Sequence, residues 1–114
     1  MSELRVFRDM VAQGDVLFMR VGMLPPHAKP VEKRGRVVVA NSDSGHDHAI
    51  NDVMVTKFEV VDELVSYLHI PGEHADVVHL RPHDTHETIR LTGGYWEVRR
   101  QREHTPEGWR RVED

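Results

Sequence analysis

From Asp15 onward the chain alternates short apolar runs with clusters of Gly, Pro, Asn and Asp. The runs are DVLFMRV (15–21), RVVVA (36–40), HAI (48–50), VMVTKFEVV (53–61), LVSYLHI (64–70), ADVVHL (75–80), ETIRL (87–91) and YWEVRR (95–100). They are short, rich in Val, Ile, Tyr and Phe, and bounded by turn formers, which is the signature of strands rather than helices. Two junctions read as hairpins, Val61-Asp62-Glu63 and Thr92-Gly93-Gly94, and Pro71-Gly72 reads as a plain turn. Before Asp15 the spacing of Leu4, Phe7, Met10 and Val11 fits a short amphipathic helix over residues 2–13, capped by Ser2 and stopped by Gly14; an edge segment is the alternative. The pattern therefore predicts an all-β domain of about seven to eight short strands with a short N-terminal helix. So many strands in one flat sheet would leave a face unburied, so the sheet curls into a barrel or folds over as a sandwich, the barrel being preferred.

Alternate positions supply the expected core: Leu17, Met19 and Val21; Val37 and Val39; Met54, Phe58 and Val60; Leu64, Leu68 and Ile70; Val78 and Leu80; Ile89 and Leu91; Trp96 and Val98. The segment from Gln101 to Asp114 reads as a polar C-terminal tail. Its Thr105-Pro106-Glu107-Gly108-Trp109 stretch forms one helical turn or a β-turn that returns Trp109 to the barrel.

At 114 residues the chain is the size of one domain, spanning residues 1–114. Its mean hydropathy of −0.53 describes a water-facing globular chain, and no apolar run approaches the roughly 20 residues of a transmembrane helix. The first ten residues mix acids and bases without the apolar stretch of a signal peptide, which makes the cytoplasm the expected location. No cysteine is present, which excludes disulfides, thiolate metal sites and thiol catalysis. Any metal must then be held by nitrogen and oxygen.

Charge sharpens the picture. Net charge is −4, against the basic face that nucleic-acid binding normally requires, so a nucleic-acid partner is not expected. Between Asn41 and Glu97, however, eleven acids stand against three bases, a local charge of −8, while the flanks carry +4. Seven of the nine histidines lie in that acidic stretch, where the surroundings attract cations and favour protonated imidazole.

The sharpest local motif is Gly45-His46-Asp47-His48. Residues two apart in a strand point to one side, so the two imidazoles can reach one ion. His86 is the first choice for a third ligand, and Glu87 for a further ligand or general base; His83 is another contact candidate on the same loop. Imidazole and carboxylate donors suit Zn, Ni, Fe(II) or Mn. Gln101, Arg102 and Glu103, at the end of the last strand, are further candidates to contact a ligand, with Arg102 suited to a carboxylate or phosphate. No glycine-rich loop leads into a helix, so no nucleotide cofactor is expected, and Gly14-Asp15 reads as a turn.

His-x-His followed by a distant His86 bears a weak similarity to the cupins, small metal-binding β-barrels. Asp52 stands near the position of the cupin glutamate, without the glycine that follows it there. A second resemblance covers more of the chain. Gln13-Gly14-Asp15-Val16-Leu17, Gly45-His46-Asp47-His48, Thr85-His86-Glu87, Gly94-Tyr95 and Gln101-Arg102-Glu103, with the tail from Pro106 through Val112, resemble a family of small bacterial and phage-encoded β-barrel-like proteins. No activity is established for that family. The resemblance implies a compact single domain with a histidine-bearing site and implies no substrate.

Three readings follow: a divalent-metal or ligand-binding β-domain, with catalysis left open; a non-enzymatic interaction or assembly module, of phage derivation in one version, whose basic flanks dock on an acidic middle of itself or of a neighbouring copy; and a fold that responds to pH through its histidines. The first is preferred, with an unidentified small ligand or protein as its partner and no membrane.

Overall fold

In a computed structural model the described residues are all-β. The structure describes residues 5–32, 36–41, 47–61, 65–80 and 85–100, and for residues 40, 41, 47, 79, 80 and 85–87 it describes the backbone alone. Nine strands form one sheet: β1 (Arg5–Phe7), β2 (Met10–Gln13), β3 (Val16–Val21), β4 (Lys29–Pro30), β5 (Val37–Asn41), β6 (Asp47–Ile50), β7 (Thr56–Glu59), β8 (Val65–Leu80) and β9 (Thr85–Arg100). The main path runs β2-β3-β9-β8-β6-β5, with β1 added in parallel beside β9 and with β7, which carries β4, beside β8. The sheet is curled into a half-barrel, so the expected fold class holds.

The organising element is the β8–β9 hairpin, whose strands are 16 residues each. Each strand serves two neighbours. The first half of β8 pairs with β7 and its second half with β6. The first half of β9 pairs with β1 and its second half with β3. The two halves of the hairpin thus become two walls of the half-barrel, joined where β8 and β9 bend together.

That bend corrects two expectations. Pro71-Gly72 is not a turn and Thr92-Gly93-Gly94 is not a hairpin loop; both lie inside long strands. Pairing runs from Ile70↔Gly94 directly to His74↔Thr92, so Pro71, Gly72 and Glu73 stand opposite Gly93 alone. Extra residues on one strand disrupt the ladder and bend it, and proline is tolerated there because a bulge does not need its missing N–H. The two backbones meet so closely that a Cβ on Gly93 would lie 2.0 Å from the Gly72 carbonyl oxygen. Gly94 has φ +125°, a conformation that side-chain-bearing residues rarely adopt. Trp96, fully buried beside the bend, donates its indole N–H to the Thr92 carbonyl at 2.8 Å.

The N-terminal helix is also corrected. Residues 5–7 and 10–13 are strands, while Ser2 and Leu4 lie outside the described residues. Phe7 and Val11 still pack on the core, but the backbone groups of both segments are satisfied by neighbouring strands, β9 for one and β3 for the other. Tertiary pairing outweighs a weak helical period. Strand β7 is shorter than the 53–61 run suggests. Asp52 accepts the Met54 N–H on its side chain at 2.9 Å and the Val55 N–H on its carbonyl, a local turn that competes with extension. Met54, expected inside, is exposed, and Val55 takes the buried place.

The core comprises Val16, Phe18, Val37, Val39, Ile50, Val55, Leu68, Ile70, Ala75, Val77, Ile89, Leu91, Trp96 and Val98. In β3 the inward face is Val16 and Phe18 rather than Leu17, Met19 and Val21, a shift of one residue. In an almost unbroken apolar run both parities are plausible, and the turn sets which one faces in. The same ambiguity at Val77-Val78 resolves with Val77 inside, because Asp76 faces outward in a bidentate pair with Arg90 at 2.7 and 3.1 Å.

The bend yields a direct test. Gly93→Ala should destabilise the protein by roughly 3 kcal/mol or more, since the Cβ meets fixed backbone. Gly22→Ala, with nothing within 4 Å of the added Cβ, should stay within about 0.5 kcal/mol of the parent. Urea unfolding of the two variants checks the contrast.

Candidate functional site

The end of the half-barrel opposite the bend gathers strand ends from both walls. Strand β2 closes into β3 through the two-residue turn Gly14-Asp15, in which Gln13 pairs with Val16 and Gly14 has φ +59°. Glycine at the first central position with positive φ suits the primed turns that match strand twist. This turn places Gln13 and Asp15 on either side of the glycine, both pointing inward and nearly buried, at 3% and 5% exposure. Val16 pairs with Arg100, which brings the end of β9 alongside.

From the other wall comes His48, near the start of β6 and fully buried. Gln13 links the walls. Its side-chain NH₂ donates to the Val77 carbonyl at 2.9 Å, and its Oε1 lies 2.8 Å from His48 Nδ1. A carbonyl only accepts, so the Gln13 amide nitrogen must face Val77 and its oxygen must face the imidazole. Nδ1 therefore carries the proton and donates it to Gln13. In the neutral ring, Nε2 is then the nitrogen with the lone pair. It lies 3.8 Å from Asp15 Oδ1, while Arg100 Nη2 lies 3.8 Å from Asp15 Oδ2. A carboxylate so deeply placed costs several kcal/mol in desolvation unless positive charge or donors compensate it, and Arg100 supplies one such charge.

The pairing register adds two more histidines at the level of the backbone. His48 is the Cα partner of His79 on β8, and His79 is the Cα partner of His86 on β9. Three adjacent strands thus carry histidine in one cross-strand row, at steps of roughly 4.5–5.5 Å between Cα atoms. Glu87 falls where the register shifts between Val77 and His79, in the unpaired stretch between His86 and Ile89.

Of the residues expected to form a site, His48 is thus central, and His86 and Glu87 are near it in register. His46, His83, Gln101, Arg102 and Glu103 lie outside the described residues. Among the described residues, no group of three or more His, Asp and Glu side chains is arranged to hold a metal ion. Other histidines are elsewhere: His27 and His74 are exposed, and His69 stacks on Tyr95 with ring centroids 4.8 Å apart. His74 lines an outward-facing groove with Asp52, Asp76 and Thr88.

Sequence reasoning missed Gln13, Asp15, Arg100 and His79 as members of this end of the molecule. A signal was present for the first two. Polar residues on both sides of a turn glycine, just before a strong apolar strand, are either exposed loop residues or inward-facing ligands, and only the turn geometry separates these.

A family model described as a domain of unknown function (DUF8820) matches residues 12–101. The match spans most of the all-β unit described above, and its limits fall one residue before Gln13 and one after Arg100. The chain belongs to this family. No curated protein and no solved structure matches it.

Gln13 should matter to stability far more than a surface polar residue. Gln13→Met leaves the Val77 carbonyl and His48 Nδ1 without their present partner in a buried place, and should cost roughly 2–6 kcal/mol at about 1–3 per group. Arg99→Ala removes only an exposed pair with Glu97 and should cost no more than about 1 kcal/mol. Denaturant titration at neutral pH compares them.

Proposed function

We propose that this protein is a small β-domain that binds a divalent metal ion through its histidines, with His48 at the centre and His86 as a second ligand. The observation that carries the reading is the cross-strand row of His48, His79 and His86, in register on three neighbouring strands. His79 joins the ligand set on that ground, beside His46 from the His-x-His motif. Histidine at paired backbone positions of three neighbouring strands concentrates nitrogen donors on one stretch of sheet, and such donors suit Zn, Ni, Fe(II) or Mn. The Gln13–His48 hydrogen bond supports the same reading, because ligating histidines characteristically donate their other ring N–H to a fixed acceptor. The acidic middle of the chain, at −8 between Asn41 and Glu97, draws cations toward this region. Glu87, one residue beyond His86, is the group best placed in sequence to act as a base on a metal-bound water.

The test uses full-length protein without an affinity tag, purified without chelator. It should contain, or take up, one divalent ion per chain, with a rise in melting temperature on addition of Zn²⁺, Ni²⁺, Mn²⁺ or Fe²⁺. His48→Ala should abolish uptake, and His69→Ala, at the stacked pair with Tyr95, should leave it unchanged. Absence of bound metal in elemental analysis, together with no thermal shift from any of the four ions, overturns the reading.

A further inference from the structure

We infer that Asp15 is a direct metal ligand delivered from the opposite wall, with Gln13 as the positioning residue that sets the tautomer of His48. The inference rests on the metal reading above and adds to it a carboxylate that closes the site between the two walls.

The geometry begins with the pair of donors. Two ligands that share one ion, each about 2.1 Å from it, can be no more than about 4.2 Å apart. His48 Nε2 and Asp15 Oδ1 are 3.8 Å apart, inside that limit and beyond the reach of a direct hydrogen bond. The nitrogen concerned is the right one. Gln13 receives the Nδ1 proton, because its own NH₂ is committed to the Val77 carbonyl, and the lone pair is therefore on the nitrogen that faces the carboxylate. Arg100 lies on the other carboxylate oxygen, with Nη2 3.8 Å from Oδ2. That contact leaves the carboxylate turned so that Oδ1 faces the imidazole.

The chemistry of the set follows. The Asp15 carboxylate joined to the His48 imidazole, without sulfur, is a mixed oxygen and nitrogen donor set of borderline hardness, suited to Zn²⁺, Fe²⁺ or Mn²⁺ rather than Cu⁺ or Ca²⁺. Because Asp15 sits in the turn between β2 and β3 while His48 sits on β6 of the other wall, the ion would tie the two walls at the end opposite the glycine bend. The Gln13-Gly14-Asp15 segment then has one role per residue: tautomer control, turn and ligand.

Three variants, measured as full-length protein by calorimetric metal titration and by the visible spectrum of the Co²⁺ form, test the assignment. Asp15→Asn keeps shape and removes the anionic donor. It should weaken Zn²⁺ and Mn²⁺ binding by about tenfold or more and shift the Co²⁺ ligand-field bands. Gln13→Met should weaken binding by about 10- to 100-fold, the range for partners of metal-bound histidines. Gln13→Glu, which keeps an acceptor for Nδ1–H, should bind metal more tightly than Gln13→Met. In the metal-free parent, nitrogen-detected NMR should find His48 as the Nδ1–H tautomer. Two outcomes separate the claims. If the parent takes up no metal, the functional reading and this assignment fall together. If the parent binds and His48→Ala does not, yet folded Asp15→Asn binds as tightly as the parent with an unchanged Co²⁺ spectrum, or His48 is the Nε2–H tautomer, this assignment alone is overturned.

Discussion

The close approach of two backbones at Gly72 and Gly93 governs the rest of the molecule. A hairpin of two 16-residue strands left straight would be a ribbon with one face unburied. Bent at three residues against one, it becomes two walls that bury Phe18, Leu68, Ile70, Leu91 and Trp96 between them. The bend is possible only because Gly93 lacks the Cβ that would collide with the Gly72 carbonyl. Trp96 then stabilises the bent form twice over, by burying the largest side chain of the core and by donating to the Thr92 carbonyl beside the bulge.

The bend also determines where polar residues can meet. It brings the two ends of β9 back toward each other, so that His86 near its start and Arg100 at its end belong to the same end of the half-barrel. Asp15 connects them in space: it lies beside Arg100 and opposite His48, whose row includes His86. Segments separated by as many as 87 positions, from Gln13 to Arg100, thus converge through one backbone feature. The Gln13 bridge to Val77 and His48 locks the walls at that end as the glycine contact joins them at the other.

Much of the fold is legible in the sequence. All eight runs fall on strands, three of them (15–21, 36–40 and 48–50) almost as bounded and four merged pairwise into β8 and β9, and Val37, Val39, Leu68, Ile70, Ile89, Leu91, Trp96 and Val98 are inside as alternation requires. The failures at the bend share one cause. Pro71-Gly72 and Gly93-Gly94 carry the composition of turns, and composition cannot distinguish a chain that reverses from one that bends and continues. The distinction depends on whether two distant glycines meet, which is a tertiary fact. The parity error in β3 is of the same kind: Val16 to Val21 is apolar on both faces but for Arg20, and the Gly14-Asp15 turn decides between them.

The site is legible in a different measure. His-x-His spacing singles out His48, since the period-2 argument is purely local, and the structure buries that residue beside Gln13 and Asp15. Asp15 and Gln13 escape because a polar residue next to a turn glycine is ordinarily solvated, and nothing local reports that a second wall covers it. Once covered, each must be matched to a partner, and the matching propagates. The Val77 carbonyl orients the Gln13 amide, the amide oxygen fixes the proton on His48 Nδ1, and in the neutral ring that leaves the lone pair on Nε2, the nitrogen facing Asp15. In a buried network each group's hydrogen-bonding capacity constrains the next. The backbone carbonyl at Val77, which has no acid–base chemistry of its own, is therefore the group that selects the tautomer of the neutral histidine.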